Sequence, residues 1–153
     1  MQWPAPVSPA APVLVWMTRL EVRVGPIVSL GEAARHGERR YVPILGGTAA
    51  GPELNGEIVE GGVDWQVLRA DSVLDIAAHY ALRLADGALV EVQSDGVRYT
   101  QAGAAGAPDN VYFRTAVRLT TGHPQWLHLN KLVALSSGER LADRVLLNVW
   151  RLA

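Results

Sequence analysis

A carboxylate beside an indole, Asp64-Trp65, follows the double glycine Gly61-Gly62, where the backbone turns sharply and presents both side chains near a strand start. An aspartate in that setting acts as a general base if desolvation raises its pKa; the alternative is that Asp64 caps a turn while Trp65 is core. His79, as a histidine, is of the residue type suited to proton shuttling, or else is an ordinary satisfied histidine. Arg114, flanked by Tyr112 and Phe113, has the fork to clamp a carboxylate or hold an enolate, against the alternative of a structural ion pair. Asp64, His79, Tyr112 and Arg114 are therefore the catalytic candidates, expected to converge on one cavity. Trp65, Tyr80, Glu91, Trp126, His128 and Asn130 are the expected ligand-binding residues.

Other chemistries are disfavoured. The chain has no cysteine, which removes disulfides, thiolate nucleophiles and Cys-type zinc sites. Its four histidines, at 36, 79, 123 and 128, lack the His-x-x-x-His spacing of a helical zinc site, so no metal is expected. Gly46 to Pro52 is glycine-rich but lacks the Gly-Lys-Ser/Thr ending of a phosphate loop, and no Gly-x-Gly-x-x-Gly opens a helix; no cofactor is expected. No serine sits in the Gly-x-Ser-x-Gly elbow of a triad hydrolase.

The elements that must position these residues read as strands. Leu20-Glu21-Val22-Arg23-Val24 alternates with the period of a half-buried strand. Turn signals such as Gly25-Pro26, Gly51-Pro52, Asn55-Gly56, Asp86-Gly87, Asp95-Gly96 and Ser137-Gly138 recur along the chain, Asp86-Gly87 and Asn55-Gly56 being the clearest hairpin signals. Strands are expected over 14–24, 40–49, 54–59, 65–68, 73–84, 88–99, 111–119, 127–136 and 144–152, with a helical turn or two over 30–36. Residues 101–110 form a long connection suited to covering a barrel mouth. So many antiparallel strands must hide their edges, which predicts an all-β fold: a closed or nearly closed antiparallel barrel of about 8–10 strands, with a two-sheet sandwich as the alternative. One domain over 1–153 is expected, with residues 1–13, holding Pro4, Pro6, Pro9 and Pro12, as a Pro-rich arm. More than one third strand, less than one tenth helix, and burial of Trp65, Tyr80 and Phe113 follow from the same patterning.

Parity divides each strand into two sets. Ile76, Ala78, Tyr80, Leu82 and Leu84 share one face, and Asp75, His79 and Arg83 share the other; Tyr112, Arg114 and Arg118 lie opposite Phe113, Val117 and Leu119. Either the polar set faces water, or part of it lines a pocket after a bulge.

With 14 basic and 15 acidic residues the net charge is −1, and no Lys/Arg block forms a stripe for phosphate backbones or anionic lipid. No run of eighteen apolar residues occurs. The expected partners are a small-molecule ligand and, as an open alternative, a second copy of the chain in a homodimer, with neither nucleic acid nor membrane. The absence of cysteine and of a basic leader fits a cytoplasmic protein.

Several strings resemble the domain-of-unknown-function 3237 family: Pro43 to Thr48, Gly51-Pro52, Asn55-Gly56, Gly61-Gly62-Val63-Asp64-Trp65-Gln66, Asp71, His79-Tyr80, Asp86 to Leu89, Val111 to Thr115, and Trp126-Leu127 with Asn130. They span residues 18 to 152, and the Gly-Gly-x-Asp-Trp-Gln string is the most specific. The resemblance implies a calycin-like β-barrel and no settled activity. Two departures stand out: His79 replaces the family's usual Arg before Tyr, and His128 interrupts the Trp-Leu-Asn run. Two functions are carried forward. One is a cofactor-independent lyase, isomerase or cyclase acting by general acid/base chemistry on a small, partly apolar metabolite. The other is a non-catalytic carrier or sensor in which Trp16, Trp65, Trp126 and Trp150 form an apolar cup.

Overall fold

The computed structural model describes residues 1–33 and 37–153. Ten strands follow one another: β1 (Leu14–Val24), β2 (Val28–Ala33), β3 (Gly37–Ala50), β4 (Gly56–Ile58), β5 (Val63–Leu68), β6 (Leu74–Leu84), β7 (Leu89–Gln101), β8 (Asn110–Thr120), β9 (Ala134–Arg140) and β10 (Arg144–Leu152). All pairings are antiparallel, in the order β1-β10-β9-β8-β7-β6-β4-β3-β2, and the additional β1–β3 pairing closes the sheet into a barrel. Strands therefore make up more than half the chain, and a 3-10 helix over Pro124–Lys131 is the one helix among the described residues.

The barrel has eight staves and two extra strands. β4 and β5 both lie between β3 and β6 and act as one interrupted stave: β4 pairs with Leu82–Leu84 of β6, and β5 with Leu74–His79. β1 and β2 succeed each other along β3 in the same way, β1 against its C-terminal half and β2 against its start. The break between β1 and β2 falls at Gly25-Pro26, since proline has no N–H to give a sheet ladder.

Inward positions obey strict alternation along β6 (Leu74, Ile76, Tyr80, Leu82, Leu84) and β8 (Phe113, Thr115, Val117, Leu119). In β1 a register shift between Trp16 and Thr18 turns both Met17 and Thr18 inward. The two barrel ends differ. Apolar side chains including Leu54, Leu82, Leu84, Val90 and Leu119 fill one end, where the 3-10 helix lays the buried Leu129 against them. Full burial of each such aliphatic side chain contributes about 1.5–3 kcal/mol. The other end, where β3, β7 and β9 place arginines, is open.

Several sequence expectations need correction. The helical turns expected over 30–36 give way to β2, whose hairpin partner β3 supplies the ladder; residues 34–36 lie outside the described residues. The strand expected over 127–136 is the 3-10 helix followed by β9: Pro124 at the helix start and the cap provided by His123, which accepts from the Gln125 N–H, favour the helical turn. Asp95-Gly96 and Ser137-Gly138 lie inside β7 and β9 rather than at reversals. Asn55 braces the loop before β4 by accepting from Gly51 N and donating to Gly51 O, while Asp86-Gly87 does make the β6–β7 turn, with Gly87 at φ 89°. Residues 1–13 carry no strand and are exposed.

The close approach of β1 to β3 requires Gly47. Its φ is 143°, and a Cβ there would lie 1.9 Å from the Glu21 carbonyl oxygen on β1. Gly47→Ala is expected to destabilise the fold by about 2–4 kcal/mol, measured as a lowered urea midpoint. An unchanged midpoint would mean that the β1–β3 seam yields without cost.

Candidate functional site

The Gly61-Gly62 pair sets the start of β5. Gly61 turns the chain at φ 111°, and Gly62 runs so near β6 that a Cβ would lie 2.5 Å from the Tyr80 Cβ. From that start, alternation sends Asp64 and Gln66 into the lumen and Trp65 outward. Tyr80, on the inward face of β6, lines the same deep cavity as Asp64, together with Val22, Val24, Ile44 and Phe113.

Two buried polar atoms in this cavity have no hydrogen-bond partner among the described residues: Asp64 Oδ1 and the Tyr80 hydroxyl. The other carboxylate oxygen, Oδ2, accepts from Gln66 Nε2 at 2.7 Å, and Gln66 Oε1 accepts from Arg40 Nε at 3.0 Å. Burial pushes the Asp64 pKa up from 3.8 to about 6, against the opposing influence of the Gln66 hydrogen bond, the Ala77 backbone N–H and the charges of Arg98 and Arg140. Burial and the Asp64 charge push the Tyr80 phenol up, so it remains a protonated donor. Ser94 and Thr115 add hydroxyls to the wall, linked at 2.6 Å, with Thr115 a further 2.6 Å from Ser136.

Above Asp64 the lumen widens. A slot of about 30 Å³ lined by Asp64, Gln66, Arg40, Arg98 and Arg140 opens into a basin of about 740 Å³ that shares the three arginines. The cavity beneath, beside Tyr80, is about 40 Å³. The basin has the volume of a small-molecule site, whereas each of the two deep spaces is the size of a substituent or a few waters.

The four catalytic candidates do not meet. Asp64 lines the lumen, but His79, Tyr112 and Arg114 are on the outer wall. No bulge interrupts β6 or β8 near them, so Tyr80 facing in forces His79 out, and Phe113 and Thr115 facing in force Tyr112 and Arg114 out. His79 Nε2 lies 2.7 Å from Glu91 Oε2 in an exposed pair, so Glu91 too is external. Tyr112 stacks on Tyr99 at 5.0 Å between ring centroids, with the Arg114 guanidinium 5.4 Å from the Tyr112 ring.

Of the expected ligand-binding residues, Tyr80 lines the lumen and Trp65 does not. Tyr80 and Phe113 are buried as expected, but Trp65 is 37% exposed, packed outside against Tyr41 and under the Arg39 guanidinium. Trp126, His128 and Asn130 lie at the filled end. Trp126 Nε1 donates to Asp86 Oδ2 at 2.7 Å, His128 lies beside Trp126, and Asn130 braces Thr121 by accepting from its N–H and donating to its carbonyl. The lumen residues not anticipated are Arg40, Gln66, Arg98, Arg140, Ser94 and Thr115. Their signal was parity: Arg98 falls in register with Val90, Val92 and Ser94, and Arg40 with Val42 and Ile44.

Comparisons with known proteins agree with this architecture. The chain is 35% identical over 138 residues to a UPF0311 protein of Rhodopseudomonas palustris, covering 85% of this chain and 90% of the relative. A crystal structure of a β-barrel-like protein from Acinetobacter baumannii superposes with a TM-score of 0.89 at 30% identity, covering 97% of this chain and 100% of that one. The crystal structure of an enzyme from Penicillium herquei has a TM-score of 0.76 at 22% identity, again with 97% and 100% coverage, and shares the fold. The model of the family described as Protein of unknown function (DUF3237) matches residues 12–152, nearly the whole barrel, and the chain belongs to that family.

Proposed function

We propose that the lumen carries out cofactor-independent acid–base chemistry, of the lyase, isomerase or cyclase kind, on a small, partly apolar metabolite. The observation that carries this reading is the buried, unpartnered Asp64 Oδ1 beside the unpartnered Tyr80 hydroxyl. Native interiors satisfy buried polar groups, so an acceptor and a donor left facing one cavity are placed for a ligand. With its pKa at about 6, Asp64 is mostly ionised near neutral pH yet readily protonated, so it can take a proton and return it.

A carbon acid next to a carbonyl suits this pair. Asp64 takes the proton, the C–H electron pair moves into the enolate, and the Tyr80 O–H donates to the oxygen that gains charge. Return of the proton at another carbon isomerises the substrate. Loss of a β-substituent, which leaves with its bonding pair and takes the proton held by Asp64, is a lyase step; attack of the enolate carbon on a carbonyl carbon within the same molecule closes a ring, the carbonyl π pair moving to its oxygen, which takes that proton. The enzyme from Penicillium herquei is a case of catalysis on the same barrel. The apolar walls formed by Val22, Ile44 and Leu147 favour the second reading, a carrier.

The two readings separate in deuterium oxide. Ketones and phenols that raise the melting temperature in a thermal-shift screen are followed by NMR for deuterium uptake. Wild type is expected to catalyse exchange and Asp64→Asn to slow it by about 10²–10⁴-fold, with His79→Ala and Arg114→Ala unchanged. Ligands that bind with no exchange in wild type would make the barrel a carrier.

Stability offers an independent readout. The folded pKa of Asp64 lies above its unfolded value of 3.8, so ionisation costs the folded state nothing below 3.8 and its full penalty above about 6. Asp64→Asn is therefore expected to melt higher than wild type at pH 8, and this advantage should shrink to nothing as the pH falls below 4. A variant less stable than wild type at pH 8 would assign Asp64 a structural role. His79→Ala, which removes an exposed pair worth about 0–1 kcal/mol, should leave the melting temperature nearly unchanged.

A further inference from the structure

We infer that Arg40, Arg98 and Arg140 form an oxyanion site at the barrel mouth, taking the carboxylate or phosphate of an organic ligand whose body lies in the basin. The three arginines come from β3, β7 and β9, far apart in sequence, and barrel closure brings all three to the slot above Asp64 and to the basin over it. Among the described residues, none of them has a carboxylate within ion-pair distance, whereas Arg69, Arg144 and Arg151 are paired with Asp75, Glu21 and Glu53. The side-chain hydrogen bond of Arg40 goes to the neutral amide oxygen of Gln66.

Like charges in a half-buried space oppose one another, and this protein holds three, with Asp64 in the slot beneath them and Glu139 on the wall of the basin, neither within ion-pair distance of them among the described residues. Arg98 registers the cost: burial, then the charges of Arg140 and Arg40, lower its pKa from the ordinary value. A fold keeps such an arrangement when a bound anion relieves it, and guanidinium forks match the paired oxygens of carboxylate and phosphate. The basin volume of about 740 Å³ is that of a small-molecule site, and Leu68, Leu74, Val111 and Tyr99 line it beside the arginines. The ligand is therefore an oxyanion attached to an apolar or aromatic body. Resting on the acid–base reading above, this also orients the ligand: Asp64 shares the slot with the arginines, so the part of the ligand that exchanges a proton is the part nearest the oxyanion.

Calorimetric titration of the full chain at low salt tests the site with 2-naphthoate, 2-naphthyl phosphate, 2-naphthol and inorganic phosphate. At least one of the two aryl oxyanions is expected to bind at least tenfold more tightly than 2-naphthol and inorganic phosphate, and which of them does so identifies carboxylate or phosphate as the source of the charge. Arg98→Met and Arg140→Met should each weaken that binding at least tenfold, and Asp64→Asn should retain or tighten it. In the unliganded protein, Arg98→Met should raise the melting temperature at low salt, because it relieves repulsion while keeping a long side chain over Phe113. Equal binding of 2-naphthol, or binding unaffected by both arginine substitutions, would overturn the site. Inorganic phosphate binding as tightly as the aryl compounds would overturn the role of the basin. Oxyanion binding as expected together with no Asp64-dependent deuterium exchange would leave this site standing and remove the acid–base reading alone.

Discussion

The pairing of β1 with the C-terminal half of β3 closes the sheet, and through it every residue acquires either an inside or an outside. In an open sheet a charged side chain can lean round an edge to water; in a closed one it stays on the side its parity dictates. Arg98 and Arg140 on β7 and β9, Asp64 on β5 and Tyr80 on β6 share a lumen because that seam exists. The seam in turn relies on Gly47, whose missing side chain lets the two backbones meet.

Within the lumen, polarity is graded along the axis. Leu54, Leu82 and Val90 fill one end with hydrocarbon, the linked hydroxyls of Ser94, Thr115 and Ser136 form a belt farther up, and the arginines occupy the open end. The gradient follows from the register: β6 and β7 run from mouth to floor and back, so a residue's distance from the β6–β7 turn sets its depth. A carboxylate halfway along is dry enough for burial to raise its pKa and near enough to the arginines to remain ionisable at working pH.

The fold was legible in the sequence because alternation is a local property. β1 and β10 begin and end where the patterning placed them, since both are clean alternating runs bounded by turn residues. The 3-10 helix was missed because Leu127 and Leu129 also alternate, and the deciding features were the preceding Pro124 and the cap at His123. β2 was missed because Gly31 and Glu32 break its apolar pattern; its strand character comes from the partner across the hairpin. For the site, Asp64 was legible from the double glycine before it. His79 and Arg114 drew attention through their chemical types, but Tyr80 and Phe113 next to them are the larger apolar groups and take the inside. Arg40, Arg98 and Arg140 were harder to see, since each looks like an ordinary surface charge until the strands on either side are known.

The 3-10 helix that lays Leu129 over the filled end has a kinetic consequence. With the base of the vessel stoppered, the arginine end is the doorway among the described residues, so a ligand that leaves the lumen would retreat past the place where the next molecule waits. Under the catalytic reading, traffic is single-file: occupant and newcomer exclude each other, and a product that keeps the charged handle of its precursor lingers at the threshold and competes with it. Turnover in such a vessel is governed by how readily the doorway releases what it has gripped.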